Sequence, residues 1–206
     1  MSDARSEVLD RVVRALASAK PPPVASRNYR RSGSLSPQER TELFAERVGE
    51  YRTTVRHVAT DEIAAEAAAT GVRRLLVPAG VPESWRPATL ELVRDDNLAP
   101  QDLDAVDGVL TGCTAAVAET GTIILTAEPH EGRRALTLVP DLHICVVRED
   151  QIHELLTEAL DAIAPASRRP ITFISGPSAT SDIELDRVEG VHGPRTLVVL
   201  IAKEPA

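Results

Sequence analysis

Three stretches of this 206-residue chain carry side chains placed to do chemistry. The first is Ala118-Glu119-Thr120-Gly121-Thr122-Ile123, a carboxylate beside a glycine-containing turn ahead of an apolar run. Glycine lets the backbone approach a ligand closely. A carboxylate there can attack an acyl group, take a proton or hold a ligand, with Thr120, Gly121 and Thr122 contributing contacts. The same residues also suit a hairpin turn with an exposed Glu, and residue chemistry alone favours that reading slightly. The second stretch is Ile174-Ser175-Gly176-Pro177-Ser178-Ala179-Thr180-Ser181-Asp182-Ile183-Glu184. An apolar strand running into Gly176, Ser178, Thr180 and Asp182 makes a natural anion cradle of N–H groups and hydroxyls. Ligands in α/β sheets sit beyond the carboxyl ends of strands. The plainer reading is a set of Ser/Thr turns that satisfy their own backbone. The third is Gly190-Val191-His192-Gly193-Pro194. His192 titrates near neutral pH and is a candidate acid or base, with Gly193 beside the ligand. An isolated His is more often simply hydrogen-bonded in place.

Several familiar chemistries are excluded. His153-Glu154-Leu155-Leu156-Thr157 starts like a zinc-protease helix but lacks the second His. Gly176-Pro177-Ser178-Ala179-Thr180 starts like a nucleophile elbow but ends in Thr where the tight turn needs Gly. No Gly-x-Gly-x-x-Gly fingerprint follows a strand. Only Lys20 and Lys203 are lysines, so a Walker loop and a Schiff-base lysine within the fold are both out. Cys113 and Cys145 are too few to ligate an iron–sulfur cluster, so no cofactor of that kind is expected on this chain. A net charge of −8 argues against nucleic-acid binding. Five aromatics (Tyr29, Phe44, Tyr51, Trp85, Phe173) make a poor stacking platform. No apolar run reaches membrane-spanning length and no secretory signal opens the chain, so a cytoplasmic protein with free thiols is expected.

The elements that must position these residues follow from periodicity. Leu9, Val12, Val13 and Leu16 predict a helical arm over residues 1–20, stopped by Pro21-Pro22-Pro23. Residues 21–36 read as a Pro/Arg-rich linker. Arg27, Arg30 and Arg31 around Tyr29 suit either a solvated segment, which is favoured, or an arm docking an acidic or phosphate-bearing partner. Residues 37–206 form the α/β domain. Ser36-Pro37-Gln38-Glu39 is a capping box that starts a helix ending near Gly49. Thr53–Val58 reads as a strand, and Thr60 caps an Ala-rich helix to Gly71. Arg74–Val77, Leu90–Val93, Val109–Thr111, Ala115–Ala118, Thr122–Thr126 and His143–Val147 read as strands, and Glu149–Ile163 as one helix. Ile171–Ser175 and Leu197–Ala202 are fully apolar, as buried central strands are. The expected fold is α/β: a mixed, mostly parallel sheet with flanking helices.

The same segments carry a resemblance. Ala118–Thr122, Arg134-Ala135-Leu136-Thr137-Leu138-Val139-Pro140-Asp141-Leu142-His143, Ser175–Ser178 with Asp182-Ile183-Glu184, and Gly190–Pro194 resemble the LUD-domain family. The match is dense from about Asp107 onward. It adds Arg134 and His143 to the ligand-binding candidates. The chain departs from the family pattern at Ala179, commonly Arg, and at Ser181, commonly Ala. The resemblance implies the superfold shared by ribose-5-phosphate isomerase and CoA transferases. It also implies a non-redox part in oxidising L-lactate to pyruvate, beside oxidoreductase subunits that carry the iron–sulfur clusters. A small carboxylate or phosphate is the implied ligand. Ala118–Ile123 is also similar to the Ser-Glu-Asn-Gly stretch around the nucleophilic Glu of some CoA transferases. With no metal or flavin motif to stabilise a developing charge, a binding or vestigial role for Glu119 is preferred over catalysis. The competing reading is a stand-alone CoA-transferase-like or sugar-phosphate isomerase-like enzyme. A third is a paralogue acting on another acid.

Overall fold

Two helices precede the first strand, and they behave differently. In a computed structural model of the chain, the residues described are 4–17, 26, 28–164, 168–177, 179–181, 187–189 and 193–203. Helix α1 (Ala4–Leu16) carries the expected apolar stripe, yet none of its residues is buried. Leu9, Val12, Val13 and Leu16 all face solvent. Helix α2 (Pro37–Gly49) packs. Its capping box is complete: Ser36 Oγ accepts from the Glu39 N–H and the Glu39 carboxylate accepts from the Ser36 N–H. Phe44 and Val48 carry its buried face.

The chain then builds a six-stranded, wholly parallel sheet. In chain order its members are β1 (Thr54–Ala59), β2 (Arg74–Leu76), β3 (Glu91–Val93), β4 (Gly108–Thr111), β7 (Leu142–Arg148) and β12 (Thr196–Lys203). Helix α3 (Ile63–Ala68) follows β1, and a short helix, α4 (Pro100–Asp104), precedes β4. The sheet order is β1-β12-β7-β4-β2-β3. Between β4 and β7 the chain makes β5 (Ala115–Val117) and β6 (Thr122–Leu125). After β7 come β8 (Ile152–His153), α5 (Leu156–Ile163) and β9 (Thr172–Ile174). These strands form a second sheet in the order β8-β5-β6-β9. A small hairpin, β10 (Ala179–Ser181) with β11 (Arg187–Glu189), completes the set.

Alternation along β12 shows why its apolar run is unbroken. Val198, Leu200 and Ala202 enter one core with Ile63, Leu75 and Ile144. Leu197, Val199 and Ile201 enter the opposite core with Phe44, Ala116, Ile123 and Cys145. Successive residues point to opposite faces, and both faces are covered. The first core lies under α3 and the Trp85 turn. The second lies between the parallel sheet, α2 and the second sheet. Ala159 and Ile163 of α5 close the outer face of that second sheet over Ala115, Val117 and Ile124.

Several expectations change. The segment 149–163 is not one helix: a 3-10 turn (Glu149–Gln151) leads into β8, which pairs with β5, and α5 starts only at Leu156. Here tertiary hydrogen bonds override periodicity. Gln151 donates to the Cys113 carbonyl and accepts from the Arg148 N–H, and Glu154 is bonded to the arm. Ile171–Ser175 is not a central strand. Its β9 pairs with β6 alone, and Phe173 is half exposed. Thr60 caps no helix, since its hydroxyl donates to the Lys203 carbonyl and α3 begins at Ile63. Among the described residues, no helix is long and apolar enough to cross a membrane.

Two outcomes follow from this packing. Phe44 has no exposed surface, so Phe44→Ala is expected to lower unfolding free energy by about 3–5 kcal/mol, read by urea denaturation. Asp107 Oδ2 accepts the Arg74 and Arg73 N–H groups, which join β2 to the start of β4 and hold its carboxyl below the usual range. A depressed native pKa adds stability above the unfolded value of about 4, lost as pH falls through the native one. Asp107→Asn is therefore expected to lower the melting temperature at neutral pH and to flatten its fall in acid.

Candidate functional site

Three of the motif segments converge on one cavity. The chain from Arg134 to His143 makes a 3-10 turn (Arg134–Thr137) and then enters β7 at its amino end. This brings Arg134, Thr137 and His143 to one wall of a cavity of about 240 Å³. Ser175, Gly176 and Pro177, just past β9, form a second wall, and Gly193 and Pro194, just before β12, a third. The cavity thus sits at the amino ends of β7 and β12, against the second sheet. This differs from the carboxyl-end position expected of a doubly wound sheet, because β9 belongs to the antiparallel layer.

The cavity combines a cation with buried polar groups. Arg134 is exposed, and its guanidinium lies 3.4 Å from the Thr137 hydroxyl. No carboxylate among the described residues pairs with it. His143 is buried, and its Nε2 lies 2.8 Å from Thr111 Oγ1 on β4. Such a set suits a small anion: the guanidinium fork matches a carboxylate, and hydroxyls complete its hydrogen bonds.

The Glu119 turn is a neighbour of this cavity and not part of its wall. Gly121 has φ +59°, a left-handed conformation that glycine adopts freely. A Cβ there would come within 2.7 Å of the Arg47 and Val48 backbone in α2. Thr120 Oγ1 and Thr122 Oγ1 are 2.7 Å apart, and Thr122 Oγ1 is 2.9 Å from Ser175 Oγ. That hydroxyl chain links the turn to the cavity wall. Tyr51 adds a bond from its Oη to the Thr120 carbonyl, and its ring packs where a Gly176 side chain would be.

Glu119 itself is engaged by the linker, whose residues 30–35 form the arm that reaches it. Its carboxylate forms an ion pair with Arg30. The Thr157 hydroxyl donates to the Arg30 carbonyl at 3.0 Å. The Ser34 and Leu35 N–H groups donate to Glu154 Oε2 at 2.6 and 2.8 Å, and Gly33 N–H to Glu158 Oε1 at 2.9 Å. The Gly33 bond holds the Glu158 carboxyl below the usual range. Residues 30–35 are thus hydrogen-bonded to the domain through their backbone, while the side chains of Arg30, Arg31, Ser32 and Ser34 stay exposed, as the solvated reading expects. A Cβ on Gly33 would lie 2.1 Å from Glu154 Oε2, so this contact requires glycine here.

The structure brings Arg134, His143, Gly176 and Gly193 into one cavity and sets Thr120, Gly121 and Thr122 behind Ser175. Ser178, Asp182 and His192 lie outside the described residues, and of Thr180 only the backbone in β10 is described. Sequence reasoning missed Thr137 as a lining group and Thr111 as the partner of His143. Thr137 stood inside a quoted motif, whereas Thr111 is a neighbour only through strand pairing. Among the described residues, no group of three or more His, Cys, Asp or Glu could hold a metal ion.

Comparison with known proteins gives the chain a family. Residues 91–202, which supply most of the cavity and both strands beneath it, match the LUD domain. The chain belongs to the LUD-domain family. It is 46% identical over 205 residues to lactate utilization protein C of Deinococcus radiodurans, covering 97% of this chain and 96% of that protein. It is 28% identical over 230 residues to the uncharacterized protein YkgG of Escherichia coli, covering 98% and 99%. A crystal structure of a DUF162 family protein from Deinococcus radiodurans superposes with a TM-score of 0.74 at 41% identity, covering 82% of this chain and 99% of that one.

Gly121→Ala is expected to cost more than ~1 kcal/mol, since it adds both a strained φ and a clash with α2 backbone. A thermal melt checks this. An unchanged melting temperature would mean that the turn is not seated on α2.

Proposed function

We propose that this chain is the non-redox component of an L-lactate utilisation system, binding a small carboxylate while partner oxidoreductases carry iron–sulfur clusters and take the electrons to form pyruvate. The observation that carries the reading is the near full-length similarity to lactate utilization protein C. The site supports it. A cavity of about 240 Å³ falls below the ~300–1,000 Å³ of drug-sized pockets, a scale suited to a three-carbon acid rather than an acyl-CoA. Arg134 is the carboxylate anchor, with Thr137 and Ser175 as hydrogen-bonding neighbours. Glu119 stands outside the cavity with its carboxylate against Arg30, which favours a positioning role over a nucleophilic one. A stand-alone enzyme of the CoA-transferase or sugar-phosphate isomerase type is the second reading, favoured only by the Glu119 turn.

The test uses cells of the source organism grown on lactate. The tagged chain is purified mildly, and the eluate is assayed for visible absorbance and lactate-dependent dye reduction. A brown, dye-reducing eluate is expected, with the reduction lost from extracts lacking this chain. Arg134→Ala is expected to raise the lactate concentration needed by about tenfold or more, the loss of one charge-assisted contact. Glu119→Gln is expected to abolish function at an unchanged melting temperature. A colourless, partner-free protein that shifts its melting temperature with acyl-CoAs or sugar phosphates would instead support the second reading.

A further inference from the structure

The only two cysteines of the chain, distant in sequence, meet inside it. Cys145 lies in the centre of β7, registered against Thr111 of β4, and Cys113 follows Thr111 by two residues. Cys145 Sγ is 3.8 Å from the Gly112 carbonyl oxygen and 4.0 Å from Thr111 Oγ1. Both thiols are free and fully buried in the same core. The Cys113 thiol donates to Gln151 Oε1 at 3.5 Å, and the mutual influence of the two thiols pushes Cys145 below the usual thiol range and Cys113 above it. The proton of the pair therefore stays on Cys113, and His143 adds to the stabilisation of the Cys145 thiolate.

A second cavity ends at this pair. It measures about 130 Å³ and lies past the carboxyl ends of β2, β4 and β7, opposite the first. That is where the strand order reverses, the usual crevice of a parallel sheet. Cys113 forms its floor, with His130, Arg148 and Gln151 around it. The side chains of His130 and Arg148 are 31% and 38% exposed, so the mouth reaches solvent. His130 Nε2 and Gln151 Nε2 lie 3.2 and 2.7 Å from the Cys113 carbonyl oxygen and screen the thiol. Gln151 Oε1 itself touches Cys113 Sγ at 3.5 Å, so only a very small molecule that displaces this amide reaches the sulfur.

We propose that Cys113 and Cys145 form a dithiol–disulfide couple oxidised by small hydroperoxides that enter through this cavity. Cys113 is the sulfur attacked first and Cys145 resolves it. The Cys145 thiolate takes the Cys113 proton as Cys113 Sγ attacks one oxygen of hydrogen peroxide. The O–O bond breaks, a sulfenic acid forms on Cys113, and the departing hydroxide recovers the proton from Cys145 and leaves as water. The regenerated Cys145 thiolate attacks Cys113 Sγ. The S–S bond forms, the S–O bond breaks, and the second hydroxide takes a solvent proton. One peroxide is reduced to two waters and two thiols are oxidised to one disulfide. Thiolate attack and subsequent condensation need the two sulfurs close together, and the shared core, with Cys145 Sγ 3.8 Å from the carbonyl of the residue before Cys113, supplies that closeness.

The experiment treats the reduced, folded full chain with stoichiometric hydrogen peroxide, alkylates it in denaturant and maps its peptides by mass spectrometry. Joint loss of both thiols in a Cys113–Cys145 linked peptide, reversed by dithiothreitol, is expected. Oxidised glutathione is expected to leave both thiols free, being too large for the cavity. In Cys145→Ser, dimedone is expected to trap a sulfenic acid on Cys113; in Cys113→Ser, Cys145 is expected to stay reduced. Thiols that survive peroxide in the folded chain but not in urea would overturn the proposal. So would linkage between chains, or a glutathione adduct on Cys113. The wild-type peptide map decides the matter even if either variant fails to fold.

Discussion

The pairing of β7 with β12 is the constraint on which the rest of the molecule depends. Seven registered residue pairs run from Thr196↔Leu142 to Ala202↔Arg148, and nearly every side chain in both strands is buried. Because successive residues enter different cores, a slip of one residue would exchange the two interiors. Leu200 and Ile144 would then meet α2, and Val199 and Cys145 would meet α3. Neither core could accept the exchange without voids or clashes. The register is therefore fixed by packing on two sides at once, and everything at the strand ends inherits its position from it.

Both cavities are such inheritances. At the amino ends, the register places His143 beside Leu197, so that Gly193 and Pro194 face the Arg134 turn. At the carboxyl ends it carries Arg148 out toward Gln151 and Cys113. The second sheet supplies what the first cannot. Its β6–β9 pairing sets Ile123 against Ile174 and so brings Thr122 to Ser175. Glu119 is positioned from a third direction, by an arm whose backbone N–H groups are satisfied by two carboxylates, Glu154 and Glu158. Buried or half-buried donors need such partners, and the arm has no strand to pair with.

How much of this was legible in sequence depends on how local the cause is. The start of α2 was, because Ser36, Pro37 and Glu39 satisfy the helix end among themselves. So were β7 and β12, whose apolar runs exceed what a one-sided strand tolerates. The motif residues Arg134, His143, Gly176 and Gly193 pointed to a common site, but the cavity's position did not follow, since β9 joins a sheet that no local pattern announces. The helix read over 149–163 failed for a related reason. Ile152, Leu155, Leu156, Leu160 and Ile163 have helical spacing, yet Ile152 finds a better partner in Ala116 of β5. The apolar stripe of α1 was read correctly as a helix, and spacing alone could not say that it would stay uncovered. Cys113 and Cys145 are 32 residues apart in sequence by their numbers, and only the register of β4 against β7 makes them neighbours.

Thr111 joins the two ends of the molecule. It sits on β4 opposite Cys145, bonds His143 Nε2 at 2.8 Å, and lies 4.0 Å from Cys145 Sγ. His143 and Cys145 are two residues apart on one strand, so their side chains leave the same face. One hydroxyl thus touches the ring that walls the first cavity and the sulfur of Cys145, which shares a core with Cys113 at the second. A buried hydroxyl cannot change partners cheaply, because water is not there to replace a lost bond. If the sulfur chemistry at one end alters what Cys145 offers Thr111, the hydroxyl must reorient, and the hydrogen bond that fixes the His143 ring changes with it. The path is a single residue long and entirely within the β4–β7 pair.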